Sequence, residues 1–332
     1  MCIRDRNEIE SYILGEKAIE ELPTHGKVGY VSANHNAVED YVAFAVSTID
    51  CRLDGMKIAV DCANGASYET AFKALNKLGA NVEAIHNTPD GVNINHMCGS
   101  THMESLQAYV TSIGADIGIA FDGDADRMLA VDENGKLIDG DQIMAACAKF
   151  MRDNGTLKQN TLVATVMSNL GLFMAGEKIG INIPRTKVGD RYVLEEMLKN
   201  NHLIGGEQSG HVILLEHNTT GDGLVTGIQL VSVLKHSGKR MSELASAMQV
   251  YPQVLINASV KNELKNEENY MKFPEIKQAI EALENEFKDT GRVLIRPSGT
   301  EPLVRVMIEG KDENLIEKRA RELANLFEAK LN

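Results

Sequence analysis

Residues 117–127 read IGIAFDGDADR, and this stretch decides how the rest of the chain is read. Its first five residues form a short unbroken apolar run, the mark of a strand buried on both faces of its sheet. The run ends in three carboxylates at i, i+2 and i+4, Asp122, Asp124 and Asp126, followed by Arg127. Carboxylates packed that closely repel one another unless a cation sits among them. Hard oxygen ligands favour Mg²⁺ or Ca²⁺, and three protein oxygens leave octahedral Mg²⁺ room for a phosphate oxygen. Arg127 offers a second positive group to the same phosphate. An EF-hand is the rival reading, since Asp122, Asp124, Asp126 and Glu133 fall on its ligand positions. It fails because the turn position that needs glycine carries Arg127, and because strands rather than helices flank the loop.

Working outward, the pattern alternates. KIAVDC (57–62) is a strand, 67–78 an amphipathic helix, 81–86 a strand and 101–113 a helix whose Thr101 and Glu104 fit a capping box. After the acidic loop, MLAVD (128–132) returns as a hairpin arm and turns again at Glu133-Asn134-Gly135. Strands at 162–167, 183–188 and 203–207 then alternate with helices at 169–179 and 190–200, and a further helix covers 222–236. Beyond residue 250 the order is strand, helix, strand, strand, helix, with 262–269 as a polar loop. The expected fold class is α/β, with consecutive mixed or parallel-sheet α/β domains followed by a small α+β domain at the C-terminus. The expected bounds are 35–135, 136–249 and 250–332. No internal repeat stands out in the sequence.

Two further loops carry chemistry. In Arg296-Pro297-Ser298-Gly299-Thr300-Glu301-Pro302, with Arg305 just beyond, hydroxyls, free N–H groups and guanidiniums form an anion nest. The competing reading is an ordinary hairpin turn, and the two arginines tip the balance. In Gly205-Gly206-Glu207-Gln208-Ser209-Gly210-His211, Glu207 and Ser209 can grip vicinal hydroxyls and His211 can carry a proton near neutral pH. Asp190 and Arg191 open a helix, where Asp190 could serve as an N-cap. Asp61-Cys62-Ala63-Asn64-Gly65 reads as a structural turn, His35 and His102 as non-catalytic, and Ser32-Ala33-Asn34-His35-Asn36 as a loop.

Composition narrows the function classes. A net charge of −13 repels nucleic-acid backbones and anionic membranes, so any phosphate must be caught by a local cationic pocket. With 5% aromatic residues and no Trp, base stacking has little to work with. The five scattered cysteines, without a Cys-x-x-Cys pair, argue against a disulfide framework or a thiolate zinc site and for a reducing cytoplasm. No apolar run reaches the roughly 18 residues of a membrane span, and the short charged start lacks the apolar stretch expected of a signal peptide.

Together, the loops Asp122–Arg127, Gly206–His211 and Arg296–Thr300, in that order and spacing, resemble the α-D-phosphohexomutase superfamily from about Gly15 onward. Gln208 in the second loop is similar to the phosphoglucosamine mutase branch. So are Asn93-Ile94-Asn95, Cys98-Gly99-Ser100-Thr101-His102 and the full Arg296–Pro302 motif. The resemblance implies four domains around a cleft, with residues 1–34 as the tail of a truncated first α/β domain. A Ser-His-Asn-Pro type phosphoserine loop has no match in this sequence, which leads us to expect a fragment that is itself inactive. It implies interconversion of glucosamine 6-phosphate and glucosamine 1-phosphate through a 1,6-bisphosphate, feeding UDP-N-acetylglucosamine and cell-wall synthesis in the cytoplasm. Under it, Asp122, Asp124 and Asp126 hold Mg²⁺, and Arg127 and His211 are catalytic. Asp190, Arg191, Glu207, Ser209, Arg296, Ser298, Gly299, Thr300 and Arg305 hold the sugar phosphate. The partner is a small sugar phosphate, not nucleic acid or membrane, and a homodimer is left open. A mutase for glucose or mannose phosphates and a non-catalytic sugar-phosphate binder are the alternatives.

Overall fold

The computed structural model describes residues 3–19, 22–288, 290–299 and 301–332. It falls into two compact units, Met1–Ala37 and Val38–Asn332. The first holds helix α1 (Ile3–Ile13) and a single 3₁₀ turn at His25–Lys27, with no buried residue in that turn.

The second unit opens with α2 (Ala37–Ser47), whose Val42 and Ala45 are buried. The sequence pattern had left this helix unread. A ladder follows: β1 (Lys57–Asp61), α3 (Thr70–Lys77), β2 (Asn81–Ile85), α4 (Glu104–Ile113), β3 (Ile117–Phe121), β4 (Met128–Asp132) and β5 (Leu137–Ile138). The strands lie in the order β2-β1-β3-β4-β5. β1 runs parallel to β2 and β3, while β4 folds back antiparallel on β3, as a short connection requires. Side chains alternate across the central strands. Ile58, Val60, Ile117, Ile119 and Phe121 face one core, and Ala59 and Ala120 face a second one under α4. Every residue of β3 is buried.

A second ladder repeats this plan. Helix α5 (Gly140–Asp153) leads into β6 (Leu162–Thr165), α6 (Leu170–Ile179), β7 (Arg185–Thr186), α7 (Asp190–Asn200), β8 (Ile204–Gly206) and β9 (Val212–Leu214). Its order, β7-β6-β8-β9, and its sense, two parallel pairs then an antiparallel hairpin, match the first four strands of the first sheet. The repeat is one of topology, which explains why no sequence period announced it. The strand expected over 183–188 shrinks to Arg185–Thr186. Helices α8 (Gly223–Ser237) and α9 (Met241–Ala245) close the ladder, and one continuous core runs through both sheets and the α5 and α8 helices.

The last sheet is antiparallel in the order β10-β12-β11, formed by β10 (Gln253–Ser259), β11 (Gly291–Pro297) and β12 (Leu303–Gly310). Short α10 (Glu267–Tyr270) and the long α11 (Pro274–Phe287) and α12 (Glu313–Leu331) accompany it, burying Ile276, Ile280, Phe287, Ile316 and Phe327 in a core of their own. Residues 262–269, expected as loop, contain a 3₁₀ turn at Asn262–Leu264 and the start of α10.

Two cap expectations fail. Thr101 belongs to a 3₁₀ turn, Gly99–Thr101, and its hydroxyl contacts the Cys98 carbonyl, so α4 starts at Glu104 without a side-chain cap. Asp190 is the first residue inside α7, and the N-cap position falls on Gly189. Among the described residues no helix is long and apolar enough to cross a membrane. The described cysteines, Cys51, Cys62, Cys98 and Cys147, are free.

Candidate active site

In both ladders the loop after the third strand leaves the C-terminal edge of the parallel pair, where open α/β sheets place their ligands. In the first sheet this loop holds the three aspartates. One carboxylate oxygen from each of Asp122, Asp124 and Asp126 lies within 4.8 Å of the other two. Asp122, at the strand end, is 9% exposed, and Asp124 at the tip is open to solvent. Burial, together with the negative charges of Asp126 and Asp124, pushes the Asp122 carboxyl up to about 6, against the pull of the Arg127 N–H that it accepts at 3.1 Å. The Arg127 guanidinium stands 3.8 Å from Asp122 and 3.7 Å from Asp126, a distance that attracts without neutralising. An acceptor-only cluster of three hard oxygens, with one carboxyl paying for its burial, fits a magnesium ion.

The loop is shaped from behind. Ala125 takes a left-handed backbone, with φ of 61°. Its carbonyl accepts the Gly223 N–H at 2.9 Å, and the Gly123 carbonyl accepts the Ala66 N–H at 2.9 Å. A Cβ on Gly223 would stand 2.7 Å from the Arg127 carbonyl and 2.9 Å from that of Ala125, so only glycine lets the start of α8 lie this close. The turn after β1 is held by fully buried Asp61, which accepts the N–H of Ala63 at 2.9 Å and of Gly99 at 3.0 Å and meets His86 Nδ1 at 2.9 Å.

The equivalent loop of the second sheet, Glu207–His211, meets the acidic loop directly. Met128 N–H donates to the Gly210 carbonyl at 3.1 Å, and His211 Nδ1 stands 3.2 Å from Asp126 Oδ2. His211 is 4% exposed, and its Nε2 receives the Gly221 N–H at 3.1 Å. A backbone N–H can only donate, so Nε2 must accept and the ring proton of the neutral form sits on Nδ1, facing Asp126. In this arrangement the neutral His211 ring donates to Asp126 and accepts from Gly221, so both of its nitrogens are engaged. Glu207 accepts the Gly189 N–H at 3.0 Å, which brings Asp190 and Arg191 against the same loop, and Ser209 is exposed at its tip.

Beneath this loop lies the start of α5, which the sequence reading passed over. Gly140 N–H donates to the Gln208 carbonyl at 2.9 Å, and Gln208 Nε2 donates to Asp139 Oδ2 at 3.0 Å. Asp139 and Gln142 form a reciprocal capping box, and that D-x-x-Q spacing was a visible signal.

The arginine-bearing turn sits between β11 and β12. Arg296 and Arg305 face each other across the ladder, an unfavourable like-charge pairing. Burial first, then the Arg305 charge, lowers the Arg296 pKa from its ordinary value. Ser298 is 4% exposed and its hydroxyl accepts the Glu301 N–H at 3.2 Å, closing the turn, while Gly299 is open. Thr300 lies outside the described residues.

Three family models match the chain. They are the phosphoglucomutase/phosphomannomutase alpha/beta/alpha domain II at residues 38–135, domain III at 139–251 and the C-terminal domain at 255–326. The phosphoglucosamine mutase of Acetivibrio thermocellus is 59% identical over 323 residues, covering 97% of this chain and 72% of its own length. That of Ruminiclostridium cellulolyticum is 59% identical over 310 residues, covering 93% and 69%. Among solved structures, Aspergillus fumigatus N-acetylphosphoglucosamine mutase in complex with GlcNAc-6P and magnesium shares the fold at a TM-score of 0.72 with 21% identity. It covers 88% of this chain, which spans 65%, just under two thirds, of that protein's length. With a relative this similar matched over most of the chain, the protein belongs to the phosphoglucosamine mutase family, isomerases of the phosphohexomutase superfamily.

Proposed function

We propose that this chain supplies the metal-, sugar- and phosphate-binding parts of an enzyme that interconverts glucosamine 6-phosphate and glucosamine 1-phosphate. The reaction would run through a phosphoserine and a sugar 1,6-bisphosphate, in the cytoplasm. In the same reading the chain divides at 1–34, 35–135, 136–249 and 250–332. The observation that carries the proposal is the contact between the two equivalent loops: the acidic loop and the sugar loop share the His211–Asp126 pair and the Met128–Gly210 hydrogen bond.

Asp122, Asp124 and Asp126 would hold Mg²⁺, which, when bound, neutralises charge on a phosphoryl group in transfer. Arg127 would steady that phosphoryl group from the side. His211 would keep Asp126 turned toward the cation, the part that a hydrogen-bonded neighbour plays for a metal ligand. Glu207 and Ser209, with Asp190 and Arg191 on the adjoining wall, would grip the sugar hydroxyls. Arg296, Arg305 and the Ser298–Thr300 turn would hold the phosphate that is not reacting. Energy from that remote grip then serves to position the reacting end.

Binding tests this without any phosphoryl donor. Calorimetry with Mg²⁺ present should show glucosamine 6-phosphate bound more tightly than glucose 6-phosphate or mannose 6-phosphate, and Asp124→Ala should weaken the binding of Mg²⁺ itself while leaving the fold intact. Equal affinity for the three sugars would move the reading to a phosphoglucomutase/phosphomannomutase, and no binding of any would end it.

A further inference from the structure

Arg292 stands at the beginning of β11, its side chain 13% exposed. Its Nε donates to Glu309 Oε2 at 2.7 Å, and its Nη2 pairs with the same carboxylate. The rest of the fork leaves its own sheet. Nη1 donates to the Val166 carbonyl at 3.0 Å and Nη2 to the Ser168 carbonyl at 2.9 Å, both in the turn between β6 and α6. Glu309, directly across the ladder from Arg292 and fully buried, accepts the Leu170 N–H from that turn at 3.2 Å.

The turn is held from its other side as well. Asn169 N–H donates to Asp141 at 2.6 Å. The Asn169 side chain pairs with both backbone groups of Tyr251, in the connector that leads to the third sheet, at 3.0 and 2.9 Å. The Arg292 guanidinium also lies 5.7 Å from the centre of the Phe173 ring. Residues 166–170 are therefore clamped by the third sheet, by the connector and by their own ladder at once.

We propose that Arg292 is a positioning residue for the phosphate turn. It fixes β11, and with it Arg296 four residues further on, against the ligand-facing edge of the second sheet. Two physical points carry this. A strand advances about 3.4 Å per residue with successive side chains on opposite faces, so Arg292 and Arg296 share a face some 14 Å apart on one stiff lever. And a planar fork that reaches two carbonyls of a neighbouring sheet while paired with a buried carboxylate fixes orientation as well as distance, which a plain ion pair within one sheet would not. The site held in place is the one assigned above to the non-reacting phosphate, so this inference rests on that reading.

Arg292→Lys is the informative change. Lysine leaves a cation beside buried Glu309 but cannot reach both carbonyls. Hydrogen exchange should quicken at least tenfold at the Leu170 amide, with the amides of β10 and β12 unchanged. Calorimetry should show glucosamine 6-phosphate bound roughly tenfold or more weakly, since preorganisation is lost. ³¹P titration with inorganic phosphate, which needs only the turn itself, should be unaltered. Unchanged exchange, or unchanged affinity for the sugar phosphate, overturns the proposal. So does a parallel loss of inorganic phosphate binding, because Arg292 would then merely hold the third sheet together. If the unsubstituted protein binds no glucosamine 6-phosphate, the functional reading fails, and the exchange at Leu170 still decides whether the clamp exists.

Discussion

Replacing Asp141 by asparagine should make the protein more resistant to heat at pH 8 and only about a third as much so at pH 5. Asp141 is fully buried in the first turn of α5. One oxygen accepts the Asn169 N–H, and the Ser168 hydroxyl stands near enough to the carboxyl to draw its pKa down, without a fully formed hydrogen bond between them. Burial first, then the charges of Asp139 and Glu309, pushes its carboxyl up to about 7 from the ordinary 3.8. A carboxyl raised in the folded state holds its proton more tightly there than in the unfolded chain. Its contribution to stability is therefore complete below about pH 4 and is lost as pH rises through about 7. Three pH units at about 1.4 kcal/mol each set a ceiling of roughly 4 kcal/mol on that loss. Asparagine keeps the acceptor for Asn169, offers an N–H to the Ser168 hydroxyl and never ionises. For a unit of this size, with an unfolding entropy near 0.6 kcal/mol per degree, relief of 2–4 kcal/mol raises the melting temperature by about 3–7 °C. Circular-dichroism melts of both proteins from pH 5 to pH 8 read this directly. A gain of the same size at every pH, or a variant less stable at pH 8, would falsify the assignment of a strained, ionised Asp141.

Two other substitutions probe the site itself. Gly223→Ala puts a methyl group 2.7 Å from the Arg127 carbonyl, so the acidic loop must shift; Mg²⁺ affinity by calorimetry should fall and stability should drop by about 1–3 kcal/mol, and an unaltered Mg²⁺ isotherm would show that α8 does not shape the loop. Arg305→Met removes one of two opposed guanidiniums; melts in phosphate-free buffer should be unchanged or slightly higher, while the gain that millimolar phosphate gives the unsubstituted protein should vanish.

What the sequence could reveal followed from pattern. The IGIAF strand, the return arm and the turn at Gly135 were legible because full burial and turn chemistry are written into consecutive residues. Helix α5 was not, although its capping box was visible, because its polar first turn, Asp141 and Gln142, is buried with the rest of residues 140–148 instead of facing solvent. The hydrogen bonding of His211 was out of reach for a different reason. Its two nitrogens are engaged by an N–H ten residues downstream and by a carboxylate from another sheet, and neither proximity leaves a trace in local sequence. Asp61 reads as a turn residue, yet its complete burial and its three partners make it the knot behind the acidic loop.

The charges at the two ends of the candidate site constrain how it can fill. The acidic loop gathers three carboxylates against one guanidinium, on a protein that is already at −13. A phosphorylated sugar approaching that loop alone meets net repulsion, so in the proposed mechanism the cation has to arrive before the phosphate. At the other end, Arg296 and Arg305 repel each other, the half-exposed Glu301 carboxylate 3.6 Å from Arg305 offsets this only in part, and an anion held there needs no metal. A sugar carrying one phosphate should therefore lodge first with that phosphate on the arginine turn, leaving its unphosphorylated end toward the aspartates. A sugar phosphorylated at both ends needs both charge clusters satisfied together. In the proposed mechanism, two opposite local imbalances would thus give a single-phosphate substrate a direction before any bond is broken.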